Sequence, residues 1–112
     1  MIYHFCPRAD WEAASVAGSY TADSLQTHGF IHCSPLDLLH VSATMHARGR
    51  ADLVVLEIDE SVLGDANVWE RGDPPHPDGR LFPHVYGPIP VGAVRRVRDL
   101  PPEPDGTFAP LT

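Results

Sequence analysis

Three histidines, His4, His32 and His84, stand in short β-type runs, and imidazole is the side chain best matched to proton transfer near neutral pH. Successive side chains of a strand point to opposite faces, so parity decides which residues can meet. Around His4, Tyr3 and Phe5 share one face and leave His4 with Cys6 on the other. In Phe30-Ile31-His32-Cys33-Ser34, Ile31 and Cys33 take the apolar face, opposite Phe30, His32 and Ser34. Val85 turns inward while His84 and Tyr86 turn out together. If these runs are neighbours in one sheet, His4, His32 and His84 line a cleft with Ser34, Tyr86 and Glu70. Such a group offers acid–base, hydroxyl, aromatic and carboxylate chemistry in one place. The candidate catalytic residues are therefore His4, His32 and Glu70, and the candidate ligand-binding residues are Ser34, His84 and Tyr86.

Each candidate also has a plainer reading. Ser34 serves as a helix cap, His4 as a surface strand residue, and His32 as a histidine bonded to backbone or solvent. His84 and Tyr86 stiffen a proline-bounded turn, and Glu70 is an edge carboxylate. His28, His40, His46 and His76 are read as solvent-facing or loop residues without a role.

Other chemistries fit less well. His4-x-Cys6 and His32-Cys33 supply ligand types that zinc prefers, but parity turns Cys33 away from His32, so no metal site is assigned. Ser34 precedes a proline rather than occupying a Gly-x-Ser-x-Gly elbow, which weakens a serine hydrolase reading. Lysine is absent, which removes a Schiff-base lysine and a Walker phosphate loop. The net charge of −7 opposes nucleic-acid and anionic-membrane binding, and Arg95-Arg96-Arg98 is the one basic cluster, read as a solvated strand face.

The elements that must position these residues follow from local pattern. Residues 1–6 read as a first strand ended by Pro7. Asp10 then caps a helix carrying Trp11, Ala14 and Ala17, with Gly18 as its stop. Ser19 to Gly29 is a polar short strand or loop. Phe30 to Cys33 is β-type and passes into a second helix with Ser34 at the N-cap, Pro35 at its first position and Asp37 in its first turn. Leu36, Leu39 and Ala43 form one apolar face of that helix, and Leu38, Val41 and Met45 the next. Leu53 to Ile58 is apolar on both faces until Glu57, as a central strand requires. Val68-Trp69-Glu70 is a further strand, Gly72 to Gly79 an irregular loop or lid, Phe82 to Pro88 a stiff extended segment, and Ala93 to Arg98 an edge strand.

At 112 residues with 43% hydrophobic content, one core is expected. The reading is a single α+β domain over residues 1–100 with a Pro-rich tail over 101–112. No run has the roughly 18 apolar residues of a membrane helix, and no secretory pattern opens the chain, so the expected address is the cytoplasm. Cys6 and Cys33 then read as reduced, buried thiols.

Four blocks, in order, resemble one bacterial family: Ile2-Tyr3-His4-Phe5, Gly29-Phe30-Ile31-His32-Cys33-Ser34, Trp69-Glu70, and Phe82-Pro83-His84-Val85-Tyr86-Gly87-Pro88. The chain is identified as a member of the domain of unknown function 952 family. The resemblance implies a compact α+β domain similar to the ADP-ribosyltransferase fold, with small mixed or antiparallel sheets and two main helices, whose members bind NAD in a cleft. It would place His4 at the nicotinamide ribose, Ser34 in the pocket wall, and Glu70 as the carboxylate that stabilises an oxocarbenium-like transition state. It leaves His32 and His84 unexplained, and a shared fold does not transfer a reaction. The functional expectation is a small-molecule binder or enzyme recognising NAD or an ADP-ribose-like nucleotide. The alternatives are a non-catalytic interaction module whose histidines are structural, and then a small metal-dependent enzyme.

Overall fold

The chain begins with β1 (Ile2–Pro7), whose alternation buries residues on both faces. α1 (Arg8–Ala17) follows at once. The Arg8 N–H donates to the Asp52 carbonyl at 2.7 Å, so this helix start needs no side-chain cap. Asp10, expected as the cap, sits instead in the first turn, where its charge complements the helix dipole. Gly18 ends the helix at φ 93°, its N–H returning to the Ala14 carbonyl at 2.8 Å.

The polar span that follows holds β2 (Ser19–Tyr20) and the single turn α2 (Ser24–Thr27), before β3 (Ile31–His32). Ser34 does not cap a helix. Its N–H donates to the Tyr3 carbonyl at 2.7 Å and its carbonyl accepts from the Tyr3 N–H at 2.9 Å, an isolated antiparallel bridge. With both main-chain groups committed there, the chain makes a turn, Leu38 N–H to Pro35 carbonyl, and α3 starts only at Leu39 (Leu39–Ala47). Asp37 lies outside the helix and takes a two-pronged bond from Arg80, both contacts at 2.9 Å. The buried face of α3 is Leu39, Ala43 and Ala47, while Val41 and Met45, expected on a broader apolar surface, are exposed.

β4 (Leu53–Ile58) precedes α4 (Glu60–Leu63), β5 (Asn67–Arg71), β6 (Leu81–Val85), β7 (Ile89–Pro90) and β8 (Val94–Asp99). This computed structural model describes residues 1–72 and 74–112; Asp73, in the loop expected over Gly72 to Gly79, lies outside them. The described residues of that loop carry only bends and turns.

The strands pair antiparallel in the orders β1-β4-β8, β2-β7 and β3-β6-β5. As expected, β4 is central and β8 is an edge. The Tyr3–Ser34 bridge stitches the first sheet to the third. One core lies between them: Ile2, Cys6, Val54, Leu56 and Ile58 meet Ile31, Cys33 and Val85, with Tyr20 and Ala14 closing it. The second core packs Tyr3, Leu53 and Val55 under α3, and Phe108 joins it from the Pro-rich end. The result is one α+β domain of small antiparallel sheets and few helices.

Candidate functional site

Register assembles the site. β3 and β6 set His32 opposite His84 and Ile31 opposite Val85. β6 and β5 set Val68 opposite His84 and Glu70 opposite Phe82. Directly opposed residues share a face. With Ile31 and Val85 in the core, His32, His84, Glu70 and the flanking Phe30 and Tyr86 all lie on the outer face of this sheet. Pro83, in the middle strand, offers no N–H toward β3, but its carbonyl accepts from Cys33 N–H at 3.0 Å.

On that face the side chains interlock. Glu70 Oε1 accepts the Tyr86 hydroxyl and also the Nδ1–H of His84, the latter at 2.8 Å. Because a carboxylate only accepts, Nδ1 of His84 donates to Glu70, and in the neutral tautomer this fixes, Nε2 carries the lone pair. Phe30 stacks on the His84 ring at 4.0 Å between centroids and 17° between planes. The His32 ring stands edge-on to His84 at 5.7 Å. His84 is buried beneath these rings, whereas His32 and Tyr86 are exposed. The site is an open aromatic platform with an oriented carboxylate at one side.

Charge states follow from the contacts. The Tyr86 hydroxyl first, then His84, holds the Glu70 carboxyl below its usual range. The same bond to Glu70 pushes the Tyr86 phenol up. Partial desolvation first, and after it the cost of placing a second positive charge beside His84, lowers His32.

His4 occupies another position. It lies on the core side of β1, with Nδ1 at 2.5 Å from the His32 carbonyl and Nε2 at 2.8 Å from the Tyr20 hydroxyl. Both ring nitrogens are thus engaged inside the protein, and burial pushes its pKa from 6.5 down to about 4. The structure therefore brings His32, His84, Glu70 and Tyr86 together, while His4 meets only the backbone of His32, from behind. Ser34 is buried, its Oγ 3.4 Å from that of Ser42 on α3.

Three contributors went unassigned in the sequence. His28 stands 5.4 Å from His32, and Phe30 touches His32, His84 and Tyr86. The spacing Phe30-x-His32 carries the signal for Phe30, since residues two apart on an extended chain share a face; His28 lies in the turn that ends α2, before Gly29 at φ 85°, and lacks that signal. Tyr20, the partner of His4, has no such signal, because its neighbour lies sixteen residues away in sequence. Among the described residues, no group of three or more His, Cys, Asp or Glu side chains is arranged to hold a metal ion. Two grooves lie elsewhere. One of about 310 Å³ runs between α1 and β2 past Asp10, Tyr20 and Asp23, and one of about 600 Å³ lies beside α3 at His40, Met45 and Phe108. Neither contains the Glu70–His84 pair, whose oriented groups make the stronger chemical argument.

A small antiparallel α+β domain carrying a histidine–carboxylate–tyrosine cluster on an outer sheet face is the class that fold and site define. The chain belongs to the family described as Protein of unknown function (DUF952), whose profile matches residues 5–97. It is similar to protein CC0527 from Caulobacter crescentus. The crystal structure of that protein matches at 34% identity and TM-score 0.86, over 96% of this chain and 92% of the other. Its solution NMR structure matches at 34% identity and TM-score 0.78, over 95% and 89%. No curated protein matches the chain. No helix among the described residues is long and apolar enough to cross a membrane.

Proposed function

We propose that this chain is a small-molecule-binding protein or enzyme that recognises NAD or an ADP-ribose-like nucleotide on the outer face of β3-β6-β5, in a fold of the ADP-ribosyltransferase type. The observation that carries the reading is the Glu70 carboxylate. Both of its bonds fall on Oε1, and among the described residues Oε2 has no partner. An oriented carboxylate with one free oxygen suits a ribose hydroxyl or a developing positive charge at a sugar carbon. Phe30, His32 and Tyr86 offer a surface on which a nucleotide ring stacks. His84, oriented by Glu70, supplies a lone pair for proton transfer.

In this reading His4 positions the β3 backbone rather than touching ligand, and Ser34 supports the bridge to β1. A diphosphate would have to draw on Arg80, at the entry to β6, away from Asp37. Two free, buried cysteines accord with a cytoplasmic address. The test is a thermal shift series with NAD, ADP-ribose and related nucleotides. A ligand at a hundred times its dissociation constant adds about 2.7 kcal/mol of stability. Wild type should respond, and folded His32→Ala and Glu70→Gln variants should not. A flat wild-type response across the series would sink the reading.

A further inference from the structure

β5 is an edge strand: β6 covers one side, and among the described residues no strand covers the other. Its ladder decides which main-chain groups remain. The Tyr86 N–H donates to the Ala66 carbonyl at 2.7 Å. With Val68 opposite His84 and Glu70 opposite Phe82, alternation commits the main-chain groups of Ala66, Val68 and Glu70 to β6. Those of Asn67, Trp69 and Arg71 turn outward. The Asn67 N–H closes on the Gly64 carbonyl, which leaves the Asn67 carbonyl and the Trp69 and Arg71 groups at the open edge.

Exposed edges are normally guarded against pairing. β8 shows how: Arg95, Arg96 and Arg98 line it, and Arg98 reaches the Thr112 carbonyl at 3.1 Å. A central antiparallel self-pairing of β8 would set arginine against arginine. β5 lacks that guard and exposes Val68 at 39% and Trp69 at 40%, with Leu81 at 43% beside Arg71.

We propose that β5 pairs antiparallel with β5 of a second copy of this chain, joining two outer sheets into one. The register centred on Trp69 uses the free groups. Trp69 exchanges N–H and carbonyl bonds with Trp69 of the second copy, and each Arg71 N–H meets an Asn67 carbonyl. Arg71 then faces Asn67 and Glu70 faces Val68, so no like charges oppose across the edge although each chain carries a net −7. Val68 of the second copy comes to rest against Glu70 and walls the site on its β5 side. The pairing does not depend on what that site binds.

Sedimentation velocity of the full chain over about a hundredfold concentration range tests this, because so small a contact belongs to the weak, concentration-dependent class. Wild type should pass reversibly from monomer to dimer. Arg71→Pro removes an N–H aimed only at the open edge, so it should stay folded by near-UV circular dichroism and lose the dimer, whereas Arg71→Ala should keep it. Val68→Glu sets carboxylates against each other across the pairing and should weaken the dimer at least ~10-fold; it decides the matter if Arg71→Pro fails to fold. A monomer at every concentration, open-ended growth, or a dimer indifferent to both variants would overturn the proposal.

Discussion

His4 shows what burial does to a titratable group at the scale of one residue. Enclosed by Tyr20 and the His32 carbonyl, it stays neutral down to about pH 4, while an unfolded chain protonates it near 6.5. The unfolded state therefore binds the extra proton between those values, and stability falls as pH drops through that window. The loss from this one group is on the order of 3 kcal/mol. The lowered groups His32, Asp37 and Asp52 are present in wild type and in His4→Gln alike, so the difference between the two proteins reports His4. Urea midpoints at pH 7 and pH 5 should separate clearly for wild type and much less for His4→Gln; equal pH dependence in both would contradict this account of His4. Glu70 makes a second residue-scale prediction. The Tyr86 phenol is pushed up by the Glu70 carboxylate, so Glu70→Gln should lower the pH at which Tyr86 ionises, read by ultraviolet difference absorbance. An unmoved tyrosine titration would mean that the Glu70–Tyr86 bond does not form in solution.

Elements explain where those residues stand, and also which parts of the arrangement were legible beforehand. Alternation within Tyr3-His4-Phe5-Cys6 and Phe30 to Cys33 gave the correct faces, because a two-residue period follows from strand geometry alone. β4 was recognisable as central because it is apolar on both faces. The start of α3 was not legible. Ser34-Pro35-Leu36-Asp37 has the composition of a helix N-terminus, but the long-range bridge to Tyr3 and the Arg80 contact to Asp37 claim the groups that capping would use. The separation of His4 from the other two histidines also depends on pairing across the chain, which no local pattern contains. The Pro-rich end reads as a tail, yet Phe108 is 3% exposed and its N–H donates to Thr44 Oγ1 at 3.0 Å. Phe108→Ala should accordingly cost about 3 kcal/mol or more by chemical denaturation; a neutral result would detach this segment from the second core.

At the scale of the molecule, two cores flank the β1-β4-β8 sheet, and the His32, His84, Glu70 and Tyr86 cluster sits outside both, on the face of the β3-β6-β5 sheet. Under the proposed function, this arrangement separates stability from ligand binding. His4 and Tyr20 fix β3 from within, while His32, His84, Glu70 and Tyr86 face outward on a backbone held by them. A net charge of −7 makes long-range attraction of an anionic nucleotide unfavourable, so under the proposed function recognition would rest on stacking and on the oriented carboxylate. The most direct measurement is therefore an NMR titration with ADP-ribose that follows the aromatic ring resonances. The account predicts saturable shifts of Phe30, His32, His84 and Tyr86, with Phe108 unmoved. Shifts confined to Tyr20 or Phe108 at the two grooves, or none at saturating ligand, would contradict it.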